Sequence, residues 1–300
     1  MTVSTVFHLH NASSNKELNI FLDGHRIRHD PKPVYLGVTF DRSLSFHDHL
    51  KKTAAKISSR NNLLGKLAGS TWGASTSTLR ISALALCFSV AEYCAPVWCR
   101  SARTNLIDSQ LNSTMRLISG CVRSTFVPWL PVLSGIAPPH LRREEATASL
   151  INKVRAHPKL PIRTDIFVPP ATRLSSRRPV WSVNLDKVLP LKDAWRTEWL
   201  CCGVTNGFLV DDPSSSVPGS DLPRRIWVKL NHFRTNHGSC AACHHKWDIQ
   251  VDPNCACGAK QTMSLSHIVN DYPLTKFQGG LVALHKAEEE AAKWLDELCI

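Results

Sequence analysis

The chain has 300 residues, 36 Lys and Arg against 24 Asp and Glu, a net charge of +12, 43% hydrophobic and 20% charged residues. That balance excludes an intrinsically disordered polymer and allows two domains with real cores. The longest apolar stretch, residues 81–91, is too short to span a bilayer. Residues 1–10 lack the basic and apolar regions of a signal peptide. An intracellular protein of nucleus or cytoplasm, not secreted and with no membrane partner, is the expectation, and its eleven cysteines read as thiols or metal ligands rather than disulfides.

In chain order, residues 3–9 and 18–22 read as short strands. Asp23-Gly24 is a two-residue hairpin turn toward residues 26–28, and the β-branched run 34–40 completes a small antiparallel sheet. Residues 45–67 predict a helix with Phe46, Leu50, Ala54, Ile57 and Leu64 on one face and Lys51, Lys52, Lys56 and Lys66 opposite. Residues 79–94 are apolar nearly all round and predict a buried helix. Asn105 can cap a third helix with Ile107, Leu111, Met115 and Ile118 inward. Pro138-Pro139 introduces a fourth, residues 141–154, opening with Arg142 and Arg143. Short connections make these four a bundle. Nine prolines between 158 and 223 mark a linker interrupted by one short helix with Trp195, Trp199 and Cys202 on a stripe. Ile226, Leu230 and Phe233 then mark a helix around which Arg224, Arg225, Lys229 and Arg234 project. A last helix, 284–298, keeps near-heptad apolar spacing and reads as a packing element. Lys and Arg exceed Asp and Glu by 11 in residues 1–160, a balance that suits a polyanion partner, while residues 241–300 are net acidic by three.

The wording of several segments is more specific than these patterns. Tyr-Leu-Gly-Val-Thr-Phe-Asp-Arg-Ser-Leu-Ser-Phe (35–46) followed by a basic helix resembles the passage from palm to thumb in jockey-type non-LTR retrotransposon reverse transcriptases. Ala-Glu-Tyr-Cys-Ala-Pro-Val-Trp (91–98) and Trp-Leu-Pro-Val-Leu-Ser-Gly-Ile-Ala-Pro-Pro-His-Leu-Arg-Arg (129–143) resemble the segment that follows. The resemblance runs from about Phe7 to Trp294. It implies a mostly helical α+β chain: a remnant of antiparallel sheet (1–44), a helical thumb bundle (45–156), a Pro-rich linker (157–222) and a loop-rich C-terminal region (223–300) with a degenerate zinc-knuckle-like element. It also implies RNA and DNA, as a template–primer duplex, and the remainder of an element-encoded polyprotein as partners. Lys51, Lys52, Lys56, Lys66, Arg142, Arg143, Arg224, Arg225, Lys229 and Arg234 are the candidate nucleic-acid contacts.

Cys255-Ala-Cys257, followed by His267, offers a tight cysteine turn and a histidine on a short helix, donors suited to tetrahedral zinc. Similar Cys-x-Cys…His-x4-Cys spacing occurs in the resembled family, with Phe-Arg-Thr-x-His-Gly-x-Cys (233–240) and His-Lys-Trp (245–247) around it. By that resemblance Cys255, Cys257 and His267 are metal ligands, with Zn2+ the cofactor. The fourth position is Tyr272, a poor zinc ligand because a phenol must lose a proton of pKa about 10. Cys240 or Cys243, His244, His245 or a water is the alternative fourth donor.

Polymerisation needs divalent metals, Mg2+ in a full-length enzyme, held by aspartates at a strand hairpin. Asp211-Asp212 is followed by Pro213 and three serines, so no second strand can pair back, and no catalytic residue is expected. The first reading is a part of an RNA-directed DNA polymerase that binds template and primer without polymerising by itself. A stand-alone zinc-dependent nucleic-acid module and a decayed reading frame are the alternatives.

Overall fold

This computed structural model describes residues 2–13, 15–167, 188–255, 257 and 262–298. Among the described residues the chain is mostly helical, with its β-strands in two-stranded ladders. It forms two compact units that interleave along the sequence: Met1–Ser58, Ser89–Gln110 and Pro139–Pro190 make one, and Ser59–Phe88, Leu111–Pro138 and Leu191–Ile300 make the other.

In the first unit, β1 (Val3–Ser4) pairs with β4 (Arg28–His29), while β2 (Phe21–Leu22) and β3 (His25–Arg26) form a hairpin. Asp23 and Gly24 both have positive φ, the turn that the Asp-Gly pair favours. Two expectations fail here. The β1–β4 pair is parallel, and the three ladders are separate rather than one antiparallel sheet. The run 34–40 is not one strand either. It folds back as β5 (Val34–Tyr35) against β6 (Val38–Thr39). Leu36 and Gly37 make that turn at φ 46 and 80, and Tyr93 holds it by donating its hydroxyl to the Leu36 carbonyl at 2.8 Å.

Asp41 ends the ladder. Its carboxylate accepts backbone N–H groups of Ser43 and Ser45, and α1 (His47–Gly65) follows. Burial alone would raise the Asp41 carboxyl, but the hydrogen bonds from Ser45 and Ser43 outweigh it and hold it below 3.8. Phe46, Leu50, Ile57 and Leu64 are buried, whereas Lys51, Lys52, Lys56 and Lys66 are exposed, the amphipathic division that the 3.6-residue period requires.

Residues 79–94 form a broken helix: α2 (Thr76–Ala83), a π-helical turn (Leu84–Phe88) and α3 (Ser89–Ala91). Ser75 caps α2 by accepting the Thr78 N–H at 3.2 Å. Leu79, Ala83, Cys87, Phe88 and Ala91 are buried, but Ile81 is 66% and Leu86 40% exposed, so the segment is one-sided, not buried all round. The π-turn inserts one residue and shifts the buried stripe by one position. α4 (Ala95–Trp98), the start of α5 (Asn105–Ser119), α7 (Pro139–Ala156) and α8 (Ile162–Phe167) belong to the first unit, whereas α2, the π-helical turn, the rest of α5 and α6 (Trp129–Ser134) belong to the second.

The second unit adds α9 (Leu191–Cys201) and α10 (Arg224–Thr235), then α11 (Ala241–Lys246), α12 (Leu265–Asn270), α13 (Gly280–His285) and α14 (Glu289–Glu297). Trp199 on α9 meets Trp129 edge-on at 5.0 Å. The core of the C-terminal part is built on α10, with Ile226, Leu230 and Phe233 against Leu265, Ile268 and Val269 of α12, Leu281 and Leu284 of α13, and Ala291 and Leu295 of α14. The expected single helix 284–298 is two, broken at Ala287 with φ 58.

Candidate metal centre and basic helices

An antiparallel bridge between Asn254 and Thr262, together with the Met263 N–H on the Pro253 carbonyl at 2.8 Å, closes the loop that carries Cys255 and Cys257. Ser264 then caps α12 by accepting the His267 N–H at 3.2 Å. Leu265, Ile268 and Val269 anchor that helix in the core, which leaves His267 facing the loop. The donor atoms of Cys255, Cys257 and His267 all lie within 4.8 Å of one another. Cys257 Sγ is 3.5 Å from His267 Nε2, and the Cys257 N–H donates to Cys255 Sγ at 3.4 Å.

These residues fit a metal ion. Zinc bonds of about 2.3 Å to sulfur and 2.0 Å to nitrogen imply tetrahedral edges of about 3.5–3.8 Å, the spacing of Cys257 and His267. His267 is 4% exposed, yet its Nδ1 has no hydrogen-bond partner. The Asp271 carboxylate, one helical turn on, stands 3.8 Å from that nitrogen. A carboxylate behind the non-ligating nitrogen is the common outer support of a metal-bound histidine. Asp271 escapes a motif search for ligands, although its i+4 spacing from His267 is visible in the sequence. Zn2+ would be held by the two thiolates and Nε2, and would fix the loop to α12.

Cys240 and Cys243 do not join the cluster. Among the described residues the metal-capable group is Cys255, Cys257 and His267, and these other two thiols are 7% and 5% exposed within the apolar core. Burial pushes the Cys240 thiol up to about 11. Both pack in the apolar cluster with Leu265, Ile268 and Val269. Tyr272 stands beside the centre, its ring 5.9 Å from that of His267. Asp212 accepts hydrogen bonds from Ser215 and Ser214 and pairs with Arg196 at 3.3 Å. Those bonds bring its carboxyl down to about 2, and among the described residues no strand hairpin forms around it.

The basic candidates divide sharply. Lys51, Lys52 and Lys56 are exposed along α1 and Lys66 just past its end, and Lys52 donates to Thr39 Oγ1 at 3.3 Å. Arg142 is paired with Glu92 (Nη2 to Oε2, 2.9 Å). Arg143 is 5% exposed, forked onto Asp108, with its guanidinium 5.9 Å from the Trp98 ring centre. On α10, Arg224 is 6% exposed and donates to the carbonyls of Gly69, Leu117 and Ile118. Asn231 donates to Ser119, and His232 Nε2 lies 3.2 Å from the Gly120 oxygen. Together they satisfy four successive carbonyls, 117–120, at the end of α5, where a helix leaves its acceptors unpaired and its dipole negative. Lys229 does the same for α14, donating to the Leu295 and Leu298 carbonyls at 2.8 and 2.6 Å. Arg234 is fully buried and donates to His285 Nδ1, Asn231 Oδ1 and the Pro218 and His285 carbonyls. Arg225 pairs with Asp296. The expectation that Arg143, Arg224 and Arg234 face a nucleic acid is therefore corrected: their guanidinium groups are enclosed, and internal acceptors occupy them. Desolvation lowers Arg224 to about 10 and Arg234 to about 9.

In sequence the chain has a weak likeness to a retrotransposon Pol polyprotein. It is similar to the Retrovirus-related Pol polyprotein from type-1 retrotransposable element R1 of Bradysia coprophila, with 23% identity over 269 residues, 87% of this chain and 26% of that protein. It thus spans about a quarter of the length of the curated relative it matches. No protein-family profile matches the chain, and no solved structure matches it. Among the described residues no helix is long and apolar enough to cross a membrane.

Proposed function

We propose that this chain is the part of a jockey-type retrotransposon polyprotein that follows the polymerase active site, gripping template and primer without supplying catalytic aspartates. The observation that carries the reading is the likeness to a Pol polyprotein over 87% of the chain. In this reading residues 1–44 are terminal palm strands, 45–156 a thumb-like segment, 157–222 a linker, and 223–300 the Cys/His region. The exposed lysines of α1 are the phosphate contacts, because a row of cations on one solvent face tracks a duplex backbone through counterion release. Arg142, Arg225 and Lys229 hold internal partners and are at most secondary contacts. The Cys255–Cys257–His267 centre takes zinc as a structural element of the C-terminal region.

The test is a filter-binding salt titration on RNA–DNA duplex, run beside primer extension with Mg2+. Binding should show little sequence preference, and log affinity should fall by about 0.9 per phosphate contact with log salt. Replacing Lys51, Lys52 and Lys56 by Ala should flatten that slope by about 2–3. An unchanged slope would remove α1 as the contact face. Nucleotide incorporation by the chain alone would overturn the reading.

A further inference from the structure

The donor set of the metal centre is short of a tetrahedron. We propose that Cys255, Cys257 and His267 hold the ion as three protein donors, with an exchangeable donor from solution, water or a small imidazole or thiolate, in the fourth position. This rests on the metal reading above and goes beyond it in assigning the centre an accessible coordination site.

Four observations converge on it. Among the described residues no other Cys, His, Asp or Glu joins the group, and residues 258–261 of the intervening loop are Gly-Ala-Lys-Gln, which add no such side chain. Asp271, the nearest carboxylate, approaches Nδ1, whereas Nε2 faces Cys257, so Asp271 lies behind the imidazole and not at the ion. Tyr272, five residues after His267, holds the position that the family resemblance implies for a fourth cysteine. Its ring is tilted 53° to His267 at 5.9 Å, and a phenol is a reluctant donor near neutral pH. Cys257 is only half-buried, so one of the three donors reaches toward solvent.

Two thiolates and a neutral imidazole balance the charge of a divalent ion, so water or imidazole as fourth donor leaves the centre neutral. Zinc sites with three protein ligands ordinarily keep such a position, whereas closed four-ligand sites do not. The exchange is simple ligand substitution: the bound water leaves as the imidazole nitrogen bonds, or as a thiol bonds after giving its proton to the buffer.

The full chain loaded with Co2+ and titrated with imidazole, and separately with β-mercaptoethanol, reads this directly. The proposal expects a saturable shift of the visible cobalt bands with imidazole, and a new sulfur-to-cobalt charge-transfer band with the thiol. Tyr272→Cys should gain that charge-transfer intensity without added thiol and become inert to both reagents, while Tyr272→Phe should behave as the parent. A cobalt-loaded parent that responds to neither reagent overturns the open position, as does a Tyr272→Phe spectrum that differs from the parent before any addition. No visible cobalt band at all would instead sink the metal reading and this inference with it. If Tyr272→Cys fails to fold by circular dichroism, the parent titration and Tyr272→Phe still decide.

Discussion

Helices α1 and α10 each carry four Lys or Arg side chains and put most of them to opposite uses, Arg60 of α1 alone on that helix donating to a backbone carbonyl, that of Leu86. On α1 one face is buried through Leu50, Ile57 and Leu64, and the lysines stand in solvent. On α10 nine of the twelve residues are buried, including Arg224 and Arg234. A cation on the buried side of a helix needs acceptors, and α10 finds them at the carbonyl ends of α5 and α14. Positive charge on a helix therefore identifies a polyanion face only where the helix has a free side. Where it has none, the same residues are helix caps.

Substitutions can break this contrast. The largest effect should come from Arg224→Ala or Arg234→Ala, each of which strands several buried carbonyls. At about 1–3 kcal/mol per orphaned group, the loss should reach about 3 kcal/mol or more, seen as a fall in urea midpoint. A loss under about 0.5 kcal/mol would place these arginines with the surface lysines. Gly120→Ala should be nearly as damaging. Gly120 has φ +72, and an added Cβ would lie 2.2 Å from Val228 Cγ2, so left-handed strain of about 1–2 kcal/mol adds to a clash. By contrast, Lys51, Lys52 and Lys56 to Ala should each shift stability by less than about 0.5 kcal/mol while weakening nucleic-acid binding.

Acid sharpens the comparison further. His285 accepts from Arg234, and desolvation first, then the Arg234 charge, bring it down to about 4. Burial likewise lowers His232 and His49. A histidine whose pKa is depressed by folding binds fewer protons folded than unfolded. Stability should therefore hold above about pH 6.5 and fall as the pH drops toward 4, with no further loss from His285 below that. His285→Gln should flatten the denaturation profile between those limits. One change should be a gain: Leu36→Asn places a residue tolerant of positive φ in the β5–β6 turn and should add about 1 kcal/mol, read as a rise in urea midpoint.

The parts legible in the sequence are those governed by neighbours along the chain. The stripe at 46, 50, 57 and 64, the Asp23-Gly24 turn and the convergence of Cys255 and Cys257 with His267 all follow from local spacing. The parts that were not legible depend on distant partners. Leu36 turns the chain despite its side chain because Tyr93 secures its carbonyl from 57 residues away. Ala287 breaks the last helix beside Gly219, where a Cβ added at residue 219 would lie 2.8 Å from the Ala287 Cβ. The acceptors for Arg224 lie more than a hundred residues upstream, and no periodicity in α10 announces them.

The interleaving of the two units has a practical outcome for anyone dissecting this polypeptide. Because each unit draws on three separated stretches, no single cleavage point yields two complete halves. A cut near residue 157 would divide the first unit at its third stretch and leave the second without residues 191–300. Limited proteolysis should accordingly produce nicked but associated species, and shortened versions ending at the Pro-rich stretch should be insoluble rather than smaller folded proteins.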